Sequence, residues 1–238
     1  MSVLRVAQPR DLELLERLRK HPFVELMDEA APEQGLLFDQ GVWRREIRVD
    51  DPTAEVFGLT EMMDNNPMVC ADSVSVPSAA GTLALIGLAP LIRAGLVVEP
   101  PNVLLSFDAD PESVDRALST EGWNNGATTM ADPQDLGHVL AATTMAKIQN
   151  PDSWDDLDDL FDEAYARSFF VRRQEDSEWD VRLVAGHPHA AYRLRLSEGS
   201  PHSILTVQVM ADSHGKAGAG QIVHAMNVMA GFEESIGV

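Results

Sequence analysis

The chain has one thiol, Cys70, and seven histidines, so any side-chain chemistry rests on few groups. A thiol acts as a nucleophile only when an adjacent base or cation holds it as thiolate. No histidine lies close to Cys70 in sequence. Free cysteine is among the most buried residue types, so Cys70 is expected to be inert and interior. Ser78 and His138 are the elements of a serine–histidine pair, but no residue in the pattern orients the imidazole as a base requires. His187-Pro188-His189 brings two imidazoles together, and His202 and His214 follow on later segments. They lack the helical spacing and the fixed carboxylate of a metal site, so no metal is expected, with His187 and His189 as the weak candidates. Lys216, which precedes an apolar helix, reads as an anion contact or as a solvated lysine at a helix start.

Composition narrows the partners. The 238 residues carry a formal charge of −20, with Lys20, Lys147 and Lys216 as the only lysines. Nucleic-acid backbones and anionic membranes need basic surfaces, so neither is expected as a partner. A solvated acidic surface is the simplest reading of the charge, including the run from Asp155 to Asp162. A lone cysteine excludes a disulfide framework and a multi-cysteine metal site. The first residues lack the apolar core of a signal peptide, so a cytoplasmic protein is expected.

The elements that would position these groups centre on Val76 to Leu96, the most apolar stretch. Pro77 and Ser78 start a helix, Gly95 stops it, and apolar residues on every face predict burial all round. Pro77, Gly81, Gly87, Pro90 and Arg93 interrupt the stretch, against a membrane span of about 20 apolar residues. Before it, Leu4 to Ala7 predicts a strand. A helix capped near Asp11 follows, with Leu12, Leu15 and Leu18 on one face, then a strand at Phe23 to Met27. That is a βαβ unit whose first turn, Gln8-Pro9-Arg10-Asp11, has no glycine for a pyrophosphate to approach. Residues 28–68 read as irregular apart from a weak strand at Gly41 to Val49, and Met68 to Val76 reads as the strand feeding the helix. After the helix come an interrupted strand at Val97 to Phe107, a helix at Pro111 to Leu118 capped by Asp110, and a strand within Leu136 to Ile148. A helix capped by Asp152 or Ser153 follows. Strands are expected at Phe169 to Arg172, Val181 to Ala185, Ala190 to Leu196 and Ile204 to Met210. An amphipathic helix, Gly218 to Gly231, closes the chain with Ile222, Val223, Met226 and Met229 inward. The result is an α+β body with a mixed, largely antiparallel sheet and helices on one face.

Three stretches carry a resemblance. Asp212-Ser-His-Gly-Lys216-Ala-Gly-Ala-Gly220-Gln221 and the following helix with Met226-Asn227 are similar to a gap-free motif of the N-acetyl-gamma-glutamyl-phosphate reductases, within the semialdehyde dehydrogenase group. Leu88-Ala-Pro-Leu-Ile-Arg-Ala-Gly-Leu96 resembles the same family's Leu-Ala-Pro-Leu-Leu-Lys-Ala-Gly-Leu. Leu157 to Arg172 resembles its helix ending in Phe-Val-Arg. The resemblance implies a truncated Rossmann-like remnant at 1–75. It also implies a domain at 76–238 similar to the C-terminal domain of glyceraldehyde-3-phosphate-dehydrogenase-like enzymes, with the last helix (216–231) packing back on the N-terminal part. It places Lys216, Gly218, Gly220, Gln221 and Asn227 in the region equivalent to the family's cofactor side. The departures are chemical. The family's nucleophilic cysteine in Asn-Pro-Gly-Cys falls on Ala79, its histidine-to-arginine segment falls near Asp132 to Leu140 without the pair, and the phosphate-binding glycine loop is missing. The expectation is a pseudoenzyme with no cofactor, a structural or regulatory subunit. It would form a dimer or tetramer, or join an active paralogue. The alternatives are a repurposed biosynthetic enzyme working without NADP and an NADP-dependent reductase-like oxidoreductase.

Overall fold

Leu4, Val6 and Ala7 are buried while Arg5 and Gln8 face out, and the computed structural model, which describes residues 3–63 and 65–238, places them in β1 (Leu4–Gln8). The Asp11 carboxylate accepts the Leu14 N–H at 2.9 Å and starts α1 (Leu12–Lys20). Its inward residues are Leu14 and Leu18, four apart, while Leu12 is exposed, which corrects the face expected from Leu12, Leu15 and Leu18. β2 (Val24–Ala30) runs parallel to β1, giving the expected βαβ unit.

Residues 28–68 are ordered rather than irregular. β3 (Leu36–Gln40) and β4 (Trp43–Val49) form an antiparallel hairpin closed by Gly41-Val42. Gly41 has φ 67, the positive angle that a type II′ turn places at its first central residue. β5 (Val56–Phe57), a 3-10 turn at Thr60–Met62, α2 (Asn65–Cys70) and β6 (Ser73–Val76) follow. Met68 to Cys70 therefore ends a helix, and the strand expected from Met68 begins at Ser73. These strands make one mixed six-stranded sheet in the order β2-β1-β3-β4-β6-β5.

The central helix is α3 (Ala79–Arg93), and every residue from Ala80 to Ile92 is buried. It is followed by β7 (Asn102–Leu105), α4 (Pro111–Ser119), β8 (Thr128–Ala131) and β9 (Val139–Gln149). Then come α5 (Trp154–Tyr165), β10 (Val171–Arg173), β11 (Ala190–Ser197), β12 (His202–Asp212) and α6 (Ala219–Ala230). β7 to β12 form a second mixed sheet of six strands, in the order β10-β11-β12-β9-β7-β8. The molecule thus has two sheets and six α-helices among the described residues. The strand expected at Val181 to Ala185 is a 3-10 turn, Val181–Leu183, because the Asp180 carboxylate takes the Arg182 N–H and curls the chain. Val97 makes only an isolated bridge to Ile148, so the interrupted strand reduces to β7.

Each sheet has its own apolar cluster. α3 packs with α4, α5 and the second sheet. α1 and α6 pack on the first sheet. α6 is not amphipathic: Ala219 to Met229 are all buried, polar residues included. Arg45 on β4 lies beneath its C-terminal end and is 1% exposed. Its guanidinium donates to the carbonyls of Met229, Met68, Val69 and Ala71 at 2.6–3.0 Å and to Gln40 at 3.0 Å. Met229 ends α6, and Met68 and Val69 end α2, so one cation meets two helix C-termini.

α3 approaches its neighbours closely through glycine. A Cβ at Gly81 would lie 2.7 Å from the Ala117 Cβ, and one at Gly87 would lie 2.6 Å from the Thr144 Oγ1. Gly87→Ala is expected to cost about 1–2 kcal/mol net, overpacking exceeding a helix-propensity gain of about 1 kcal/mol. The measurement is the urea midpoint at constant slope. Thr144→Ala, which removes the atoms struck, should cost less stability in the Gly87→Ala background than in the wild type.

Candidate functional site

The chain enters α3 from β6 through Pro77, the point at which a buried helix presents its free N–H groups. One of those N–H groups is taken within the chain. The Ser78 hydroxyl accepts the Gly81 N–H at 3.2 Å as the N-cap. Gln221 of α6 donates through Nε2 to the Pro77 carbonyl at 3.0 Å and lies 3.1 Å from the Thr82 hydroxyl. Ala79, the first helical residue, offers a methyl group. No thiol or free hydroxyl of these residues is left to attack an acyl group.

The sequence candidates separate. Cys70 is exposed at the end of α2, which corrects its expected burial. His138 meets His214: its Nδ1 lies 3.2 Å from the His214 Nε2, across the neighbouring ends of β9 and β12. Ser78 bonds Gly81 instead of His138. The His187 and His189 rings stack with centroids 5.3 Å apart. His189 is buried, and burial, with help from Arg172 and His187, pushes its pKa down to about 4. His202 begins β12, the strand that His214 follows, so the two lie towards opposite ends of it. Among the described residues no group of three or more histidine, cysteine or carboxylate side chains is placed to hold a metal ion.

The most heavily charged interior position is one that sequence reasoning misplaced. Between β12 and α6 the chain doubles back on itself. A Cβ at Gly218 would lie 1.9 Å from the Ser213 carbonyl oxygen, and one at Gly215 2.2 Å from that of His187. Glycine here permits close backbone approach. The Asp212 carboxylate fixes the loop by accepting from the Gly186 N–H at 2.7 Å and the His214 N–H at 2.8 Å. Lys216 is thereby carried into the interior, with 0% exposure, so neither the solvated lysine nor the open anion contact is found. Its Nζ lies 2.6 and 2.7 Å from the two oxygens of Glu61. His224 of α6 places Nδ1 3.7 Å from Glu61 and Nε2 3.0 Å from Glu234, with the Phe170 ring stacked on it at 4.0 Å. Burial pushes the Lys216 ammonium below its ordinary value, against the pull of Glu61. Burial raises the Glu61 carboxyl, but Lys216 and His224 outweigh it and hold it below its ordinary value.

The other residues of the cofactor-equivalent region also turn inward. The Asn227 Nδ2 donates to the carbonyls of Glu234 at 3.1 Å and Ile236 at 2.8 Å, and its Oδ1 meets His21 at 3.0 Å. Gln221, Gly220 and Asn227 are buried and Gly218 is half-buried. What this arrangement does chemically is lock α6 between α3, the 3-10 turn carrying Glu61 and the segment after α6. Lys216→Met leaves the buried Glu61 with His224 as its remaining cationic neighbour and is expected to cost about 3–5 kcal/mol in chemical denaturation. Adding Glu61→Leu should recover most of that loss.

No family model matches the chain. It is 21% identical over 215 residues to an N-acetyl-gamma-glutamyl-phosphate reductase of Listeria welshimeri, covering 76% of this chain and 61% of that protein. It is 25% identical over 251 residues to that of Geobacillus kaustophilus, covering 90% of this chain and 71% of that one. In fold it is similar to aspartate semialdehyde dehydrogenase II of Vibrio cholerae, with TM-score 0.61, 13% identity, and 96% and 98% of the two chains covered. The chain is thus similar in sequence, at low identity, to N-acetyl-gamma-glutamyl-phosphate reductases, the family its motifs resemble.

Proposed function

We propose that this distant relative of the acyl-phosphate reductases is a catalytically inactive member, acting as a structural or regulatory subunit that self-associates or joins an active paralogue. The observation that carries this reading is Ala79 at the start of α3, beside a Ser78 hydroxyl engaged in capping. Acyl transfer from a phosphate to an enzyme needs a nucleophile at that place, and a methyl group has no lone pair to give. The nucleotide side supports the same reading. The β1–α1 turn lacks glycine, and the Asp11 carboxylate already occupies the α1 N-terminus. A dinucleotide's pyrophosphate would meet a negative charge there instead of free N–H groups.

In this proposal residues 1–75 are a truncated Rossmann-like remnant and residues 76–238 the semialdehyde-dehydrogenase-like domain, with α6 returning to the first sheet. The surface for self-association is the face of the second sheet away from α3. Ile204, Thr206 and Gln208 of β12 stand there opposite Lys147, Met145 and Thr143 of β9. Among the described residues no helix is long and apolar enough to cross a membrane, and a cytoplasmic setting goes with the proposal. A second reading is a repurposed enzyme that does without NADP; Cys70 is exposed as it would require, though it lines none of the described clefts. Cys70→Ser would impair such an enzyme and leave a structural subunit's assembly unchanged.

The test is native mass spectrometry together with an NADPH-oxidation assay on acyl phosphates. The expected outcome is a dimer, tetramer or hetero-complex that neither retains NADP nor oxidises NADPH. Ala79→Cys is expected to leave it inactive, because the nucleotide site is also lacking. Turnover by the unmodified chain, or a lone monomer carrying a metabolite, overturns the proposal.

A further inference from the structure

We propose that residues 232–238 form a proton-sensitive strap, released from α6 and from Phe23 when His21 takes up a proton. The segment folds back over the end of α6 and is held at a few points. Asn227 donates to its Glu234 and Ile236 carbonyls. Phe232 packs against Phe23 with ring centroids 5.1 Å apart and against His21 at 5.9 Å. Gly237 presses on the same imidazole: a Cβ there would lie 2.5 Å from the His21 Cδ2. His21, 3% exposed, is therefore enclosed by the strap.

Both ring nitrogens of His21 are committed in its neutral form. Nδ1 accepts the Phe23 N–H at 3.2 Å, so the ring proton sits on Nε2 and is donated to the Asn227 Oδ1 at 3.0 Å. Asn227 is oriented unambiguously, since its amide donates to the two strap carbonyls. A second proton on Nδ1 would face the Phe23 N–H and lose that bond. The resulting cation would be enclosed by Phe23, Phe232 and Gly237, with no carboxylate among the contacts described from α6, Phe23 or the strap. Opening the strap returns the imidazole to water, where the charged form is stable.

His224 faces a different environment, which is why it is the second grip rather than the sensor. Glu61 from the 3-10 turn and Glu234 from the strap approach it, Lys216 lies beside Glu61, and the Phe170 ring covers it. Burial holds its pKa below its ordinary value as well, but Glu234 on the strap pulls it towards the charged form, so charging it tightens the strap's hold there rather than ejecting it. Burial holds the His21 imidazole below its ordinary value of 6.5, the Asn227 bond opposing in part. A group with a lowered pKa in the closed form stabilises closure above its free value and loses that contribution as pH falls below it. The strap is accordingly closed above 6.5 and opens progressively in the acid range below.

Amide hydrogen exchange on the full chain, corrected for intrinsic rates, tests this between about pH 7.5 and 5, where histidine titrates. The reporters are the Phe232 and Ile236 amides, bonded to Asn227 at 2.8 Å and Glu233 at 3.3 Å. Their opening constant is expected to rise towards about tenfold per pH unit, the slope of one proton taken up. Val207 on β12 should show no such slope. His21→Gln keeps a donor for Asn227 without titrating in this range, so it should abolish the slope, while His224→Gln should keep it. A slope shared by Val207, or one that survives His21→Gln, overturns the proposal. If His21→Gln does not fold, the wild-type imidazole is followed by NMR. Titration of His21 below 6.5 together with a shift at Ile236 supports the strap. Titration at or above 6.5, or an unmoved Ile236, overturns it.

Discussion

A helix buried on every face must satisfy its end groups inside the protein, and this molecule has two such helices, α3 and α6. Each end leaves four backbone groups without a helical partner, and water is not there to take them. At the start of α3 the Ser78 hydroxyl takes the Gly81 N–H, and Gln221 reaches across from α6 to donate to the Pro77 carbonyl just before it. Its last turn closes through Gly95, with φ 67, and the Leu96 N–H returning to Leu91 at 3.0 Å. α6 ends the same way, through Gly231 with φ 72 and the Phe232 N–H returning to Asn227 at 2.8 Å. Its Met229 carbonyl takes the Arg45 guanidinium at 2.6 Å. The two helices are therefore coupled: an α6 displaced by one turn would strand Gln221, Arg45 and the Pro77 carbonyl together.

Buried charge follows from the same constraint. Arg45 has no carboxylate among its described hydrogen-bond partners. It is stabilised by five oxygens, most of them carbonyls at helix C-termini, and by the Trp43 ring 4.0 Å away. Lys216 is matched by Glu61 at 2.6 Å. In a chain of charge −20, taking two of 18 cations inside is costly in desolvation and leaves the surface more acidic still. A buried ion pair of this kind contributes little net stability against an apolar pair of the same size, but it penalises every arrangement that separates the partners. Lys216 pairs with Glu61 only when the loop before α6 lies against the 3-10 turn after β5. The pair thus selects one docking of α6 on the first sheet.

Local signals were the legible part of the fold. Asp11, Ser78, Asp110 and Ser153 each cap the helix that their position predicts, because capping depends on residues within one turn. The alternation of β9 was readable for a similar reason. What failed depended on distance. β3 and β4 hold few alternating apolar residues, and their register comes from pairing with each other and with β1. The break into two sheets is a matter of which strands meet, which no single strand encodes. Val181 to Ala185 has strand-like composition, yet a single carboxylate at Asp180 bends it. Lys216 was placed on the surface because its partner lies 155 residues earlier, in a stretch without periodicity. Gly218 and Gly220 fall in the resemblance's cofactor-equivalent region, and with Gly215 they also permit the backbone crowding within the loop.

In the proposed reading, the α3 N-terminus is a scaffold kept without its chemistry. A helix start that presents a nucleophile is strained in its purpose, since the N–H groups must stay open for the developing oxyanion. Here the Ser78 hydroxyl closes one of them, the Gly81 N–H, and stabilises the helix by about 1 kcal/mol, the usual contribution of a serine cap. Ala79 adds the best helix former at the first helical position. The Gln221 bridge to Pro77 then fixes the entry angle of the chain, whatever stands at residue 79. Every one of these contacts favours a rigid junction between β6, α3 and α6. A rigid junction of this kind is what the proposed assembly role calls for, with a methyl group at residue 79 where the proposal finds no nucleophile.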